Sequence, residues 1–201
     1  MLLAVLCLAA MPGSDLQTTF KNAVGQDFWI EMIPHPEVDA KGAHGAVIVE
    51  RPPAEVAALM RDIDNYKTLF AQVSDSKITQ KVGKLVDAHV EAYIIMPGGI
   101  TTVTLNAYIR HQDHIDDHGI WWVRQRSLSG RGSFKRYEVD ARITPMDQGK
   151  KSLLEFWVMI VPDIPFVPDS IIEDENKKFA RRALRALRLK ATGVAYNPND
   201  L

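Results

Sequence analysis

Cysteine is all but absent: the 201 residues contain one, Cys7. It lies inside a short apolar run at the start, MLLAVLCLAA, and no thiol follows it. Disulfides, thiolate zinc sites and cysteine nucleophiles are therefore excluded from a domain built on the later residues. The run is also too short to cross a membrane, which takes about 20 apolar residues. A surplus of one charge is missing too, with 24 basic against 25 acidic residues and a formal net charge of −1. Broad attraction to nucleic acid needs an excess of Lys and Arg, so no nucleic-acid partner is expected. The sequence has no internal repeat, Gly-rich phosphate loop, Gly-x-Ser-x-Gly elbow or Ser-His-Asp arrangement. No catalytic residue, metal ligand or cofactor is assigned.

The opening run ends in small residues and is followed by Met11-Pro12-Gly13-Ser14. That is the length and ending of a signal-peptide core, although the basic flank is missing. Residues 1–14 are expected to be an export signal, which places the protein in the periplasm or outside the cell. The alternative is a structured or disordered N-terminus in a cytoplasmic protein.

What is there suits one ordinary globular domain: 46% apolar and 24% charged residues over 201 positions. Residues 15–42 read as a mixed N-terminal extension, interrupted by Pro34 and Pro36. Residues 43–50 form a strand that Pro52-Pro53 ends. Val56, Leu59 and Met60 recur at helical spacing over residues 54–61. Asp62 and Asp64 are candidate caps for a second short helix at 65–70.

From residue 73 to 162 the period is two. Val86, Ala88, Val90, Ala92 and Ile94 share one parity; Val103, Leu105, Ala107 and Ile109 share another, after the Pro97-Gly98-Gly99 turn. A strand follows at 121–127. Tyr137, Val139, Ala141 and Ile143 then alternate with Arg136, Glu138, Asp140 and Arg142, and Leu154, Phe156, Val158 and Ile160 complete the series. This predicts an antiparallel sheet with one buried and one solvated face. Residues 168–192 form one long helix, with Asp169 or Ser170 as cap and Gly193 as stop. Residues 193–201 are a tail.

One strand, two short helices, a meander of about six strands and a long terminal helix is an order used by a curved sheet wrapped around its last helix. Three segments carry a closer likeness. They are Val49-Glu50-Arg51-Pro52-Pro53-Ala54-Glu55-Val56 with Asp62-Ile63-Asp64-Asn65-Tyr66, then Gly130-Arg131-Gly132-Ser133-Phe134. The third is Val161-Pro162-Asp163-Ile164-Pro165-Phe166-Val167-Pro168 leading into Lys177-Lys178-Phe179 and Leu184-Arg185-Ala186-Leu187-Arg188. In that order and spacing they resemble the START-like superfamily, also called polyketide cyclase/dehydrase or SRPBCC. Within it the coenzyme Q-binding and cyclase-like branch is the most similar. The resemblance spans residues 43–191 and implies an α+β helix-grip fold, with about seven strands curved around the C-terminal helix.

It also implies a ligand cavity between sheet and helix. An empty cavity of roughly 500 Å³ would cost about 12 kcal/mol, as much as a whole domain's stability, so it must be filled or collapse. Inward parity nominates Val90, Ala92, Ile94, Val103, Leu105, Trp121, Val123, Tyr137, Val139, Phe156, Val158 and Ile160 as its lining. The helix adds Ile172, Phe179 and Ala183. Ala92, Ala107 and Ala141 are small residues that leave room on that face.

The functional expectation is non-enzymatic binding or transport of a hydrophobic small molecule such as a lipid, quinone or sterol-like compound. A polyketide cyclase or aromatase using the same cavity is the alternative. That chemistry needs an acid and a base converging inside, and inward parity offers only Gln125, Ser133, Lys135 and Tyr137. His111, His114 and His118, with Asp113, Asp116 and Asp117, read as a solvated hairpin rather than a metal site. Lys177, Lys178, Arg181, Arg182, Arg185, Arg188 and Lys190 read as the wet face of the terminal helix. Their second reading is transient docking on anionic head groups, at about 1 kcal/mol per charge.

Overall fold

A computed structural model describes residues 16–24, 28–95 and 102–197. The expected export signal at 1–14 and the Pro97-Gly98-Gly99 turn lie outside the described residues.

Helix α1 (Leu16–Ala23) precedes a hairpin of β1 (Trp29–His35) and β2 (Val38–Val49). Pro53 opens α2 (Pro53–Arg61), where its missing N–H costs nothing. A 3₁₀ turn (Ile63–Asn65) and the short α3 (Tyr66–Leu69) follow. The meander comprises β3 (Val73–Val82), β4 (Leu85–Ile95), β5 (Thr102–Ile115), β6 (Trp121–Ser127), β7 (Phe134–Met146) and β8 (Lys151–Pro162). The chain then enters α4 (Asp169–Thr192), which ends at Gly193 in the left-handed conformation, φ 73°.

All eight strands form one antiparallel sheet, ordered β1-β2-β8-β7-β6-β5-β4-β3. The order explains the shape: the meander supplies six strands, and the N-terminal hairpin joins the free edge of β8. The strand count is thus one higher than expected. The boundary placed at residue 43 falls inside β2, because Trp29 through Ile33 pair with Ala46 through Gly42. Tyr196, in the described part of the tail, reaches back to the domain: its hydroxyl donates to the Leu69 carbonyl at 3.1 Å.

The concave face is set by register. One row runs His111–Gln125–Val139–Val158–Ala43 across five strands. The next runs Val123–Ala141–Phe156–Gly45. Helix α4 lies across β2 and β8. It comes close because Gly45 has no side chain: a Cβ there would lie 2.6 Å from Leu184 Cδ1 and 2.9 Å from the Trp29 carbonyl oxygen. Helix α2 covers β6 and β7.

Two local expectations are corrected. Asp62 holds the N-cap position of the 3₁₀ turn but makes no side-chain capping bond, and Asn65 holds that position for α3. Asp62 accepts from Asn65 Nδ2, and Asp64 accepts from the Ile78 amide at 2.6 Å, tying the helical turn to β3. Asp169 and Ser170 make no cap either; Pro168 occupies that position in α4. The convex face is less wet than its sequence suggests. Arg142 forks onto Glu155, which is 0% exposed, and Arg126 forks onto Asp140. Charges on this face survive burial by pairing.

Candidate functional site: a cavity beneath the C-terminal helix

Between the concave face, α3 and the first half of α4 lies a cavity of about 310 Å³. Its walls are mainly apolar: Val90 and Ala92 of β4, Leu105 and Ala107 of β5, Val139 of β7, and Phe156 and Ile160 of β8. Met60 and Phe70 close it from the short helices, and Ile171, Ile172 and Phe179 from α4.

Gln72, Tyr93 and Asn176 add polar side chains to the wall, and two further polar groups stand out. Asp174, Glu175 and Lys178 of α4 border the cavity where it meets solvent. They pair among themselves, with Lys178 Nζ 2.7 Å from Asp174 and 2.9 Å from Glu175. The inner end holds Tyr66, Gln125 and Tyr137, exposed by only 4%, 2% and 8%.

Those inner groups form a chain of hydrogen bonds. The Tyr66 hydroxyl donates to the Met60 carbonyl at 2.5 Å. Gln125 Nε2 donates to the Tyr66 hydroxyl at 2.7 Å and lies 3.2 Å from His111 Nδ1. The Tyr137 hydroxyl donates to Gln125 Oε1 at 3.4 Å, a long and weak bond. Burial pushes both tyrosines well above the usual phenol range, so both keep their protons. Burial lowers the His111 pKa, which keeps the ring neutral at physiological pH.

No family model matches the sequence, and no curated protein does. Solved structures do. The chain is similar to a STAR-related lipid transfer protein from Xanthomonas axonopodis, with TM-score 0.70 and 12% identity over 83% of this chain and 94% of that one. Human StAR-related lipid transfer protein 5 aligns with TM-score 0.64 and 11% identity, over 83% of this chain and 84% of the other. The Zhui aromatase/cyclase from Streptomyces sp. R1128 gives 0.52 and 13%, over 82% and 94%.

The chain has the START-like, helix-grip fold. At these identities the likeness is one of backbone architecture, which hosts both lipid transfer proteins and cyclases.

Within the START-like frame, nine of the fifteen nominated residues meet at the cavity. They are Val90, Ala92, Leu105, Tyr137, Val139, Phe156, Ile160, Ile172 and Phe179. Trp121 and Val123 do not. They face the right side of the sheet, but α2 packs over that part of β6, and Arg61 sits 4.7 Å above the Trp121 ring. Val158 is buried core between Ala43 and Val139. Ala183 faces Leu69 and Phe70 instead, one turn beyond Phe179 on α4. Val103 is half-buried and outside the cavity wall. The side chain of Ile94 lies outside the described set.

The parity reading missed Tyr66 and Phe70, which sit on elements too short to show a period. Gln125 has the inward parity of Trp121 and Val123, and its side chain reaches the cavity wall. His111 had a clear signal: it continues the Leu105, Ala107, Ile109 parity inward, so it belongs to the core and not to the solvated hairpin. The hairpin itself is closed by Asp116, which accepts from the His118 and Ile120 amides and from Trp122 Nε1.

Proposed function

We propose that this START-like protein is a non-enzymatic carrier that holds one hydrophobic small molecule under α4. The carrying observation is the 310 Å³ cavity with an apolar wall. Left dry, that volume would cost about 7 kcal/mol at roughly 24 cal/mol per Å³. An apolar guest removes the cost and gains about 0.8 kcal/mol per buried CH₂. The size lies at the small end of ligand cavities, about 300–1,000 Å³, which favours one compact or single-chain guest.

Non-enzymatic binding is favoured over a cyclase by the chemistry of the inner end. Among the described residues it presents an amide and two tyrosines, and burial keeps both phenols protonated. General acid–base catalysis wants a pKa near the working pH. The carboxylates that border the cavity, Asp174 and Glu175, are at the solvent end and paired with Lys178.

Exchange of the guest at a lipid surface is part of the reading. Phe166 is 101% exposed with φ 62°, beside Val167, which lines the cavity. An aromatic held out to solvent at a cavity mouth suits insertion among lipid head groups. With residues 1–14 read as an export signal, the carrier works in the periplasm or outside the cell.

The test is mass spectrometry of solvent extracts from protein purified without detergent. An apolar compound at near-equimolar yield is expected. Empty extracts combined with failure to bind any apolar probe would overturn the carrier.

A further inference from the structure

The hydrogen bonds at the inner end have a fixed direction, and direction selects a head group. Gln125 uses both amide protons inside the protein, one toward the Tyr66 hydroxyl and one toward His111 Nδ1. The Tyr66 hydroxyl is itself committed to the Met60 carbonyl. His111 Nε2 faces the Asp113 carboxylate at 3.7 Å, which places the ring proton on Nε2 and leaves Nδ1 to accept. The amide therefore cannot turn over: its oxygen must point at Tyr137.

That leaves two underused groups at the cavity's inner end. Gln125 Oε1 accepts only the long 3.4 Å bond, and the Tyr137 hydroxyl donates only that bond. One is an acceptor and the other a donor, side by side. No cation accompanies them; among the described residues Lys178 is the cavity's single basic group, and it is at the solvent end.

We propose that the guest carries one uncharged hydroxyl, as an alcohol or phenol, which docks inner-end first between Tyr137 and Gln125. The hydroxyl accepts from Tyr137 and donates to Gln125 Oε1, replacing one poor hydrogen bond with two good ones. An ionised acid is rejected for two reasons. Its charge would be buried without a counter-ion. It would also turn a second acceptor toward Gln125 Oε1. The inference rests on the carrier reading and names the class of molecule carried.

The test is calorimetric titration of the purified chain with decanol, methyl decyl ether and decanoate at neutral pH. Decanol is expected to bind at least about tenfold more tightly than either analogue, the worth of one buried hydrogen bond or more. Tyr137→Phe, which removes one oxygen from a buried ring, should bring decanol down to the ether. Gln125→Leu should do the same, and Tyr137→Phe stands alone if that variant fails to fold. Decanoate matching decanol would overturn the head-group assignment while leaving the carrier intact, and so would a decanol preference that survives Tyr137→Phe. Failure of all three to bind would instead remove the carrier reading, and this inference with it.

Discussion

Gln125 Nε2 lies 2.7 Å from the hydroxyl of Tyr66, 59 positions earlier in the chain. The bond joins the middle of β6 to the short α3, and Tyr66 passes it on to the last turn of α2 through the Met60 carbonyl. Neither short helix has much intrinsic stability, because a helix of one or two turns barely repays its nucleation. Their placement over the cavity therefore depends on this tether and on the apolar contacts of Tyr66 with Phe70, whose rings meet edge to face at 5.2 Å.

Tyr66→Phe should accordingly destabilise the protein. It strands the Met60 carbonyl and one Gln125 proton in a buried setting, and an unsatisfied buried polar group costs about 1–3 kcal/mol. Urea unfolding should show a lower midpoint with an unchanged slope. An unchanged midpoint would mean that water takes over the lost bonds.

Glu155 gives the fold an acid limit. It is fully buried on the convex face between Arg142 and His44. Burial alone would raise its pKa, but the Arg142 fork and the His44 ring 3.7 Å away outweigh that and hold the carboxyl below its ordinary value. A carboxyl with a lower pKa folded than unfolded stabilises the fold above the unfolded pKa of about 4.3, and the stabilisation fades as pH falls through the folded value. Wild-type stability should thus drop steeply below about pH 4.3. Glu155→Gln should flatten that drop and cost about 3–5 kcal/mol at neutral pH, since it leaves Arg142 without its buried partner. Denaturant midpoints measured across the acid range check both.

At Gly45 sheet and helix meet closely. A Cβ there would be 2.6 Å from Leu184 and 3.0 Å from Ile30 Cγ1. Gly45→Ala should force α4 or β1 to move, at about 1–3 kcal/mol for overpacking. The melting temperature should fall by about 2–4 °C for each kcal/mol in a chain of this size. A melting temperature equal to wild type would show that Leu184 repacks freely.

The sheet and the long helix were legible in the sequence because their periods run uninterrupted over many residues. Alternation from Val86 to Ile160 set which face is buried, and the observed register keeps that parity on every meander strand whose inward residues are described. The cavity wall was legible only in part. Parity tells which side a residue faces and not what covers it, so Trp121 and Val123, under α2, read the same as Val139. The full length of β1 was hidden by Pro34, which β1 tolerates because it lies at the sheet edge, and by Pro36 in the turn to β2. Tyr66 was hidden because its position is fixed by partners on β6 and α2, a long-range relation that no local pattern encodes.

Ala107 separates the cavity from the stability of the fold. It is buried on β5 opposite Val90, and its methyl group faces the empty volume. In a filled core, Ala107→Leu would overpack and cost about 1–3 kcal/mol. At the edge of a 310 Å³ void the added carbons find space and bury apolar surface, so the ligand-free protein should melt at or above the wild-type temperature. The same carbons occupy the guest's volume, so binding of an apolar fluorescent probe should weaken at least about tenfold, the equivalent of about 1.4 kcal/mol. Opposite movement of stability and binding is the signature of a cavity kept open for a ligand. A variant that loses both together would place Ala107 in ordinary core.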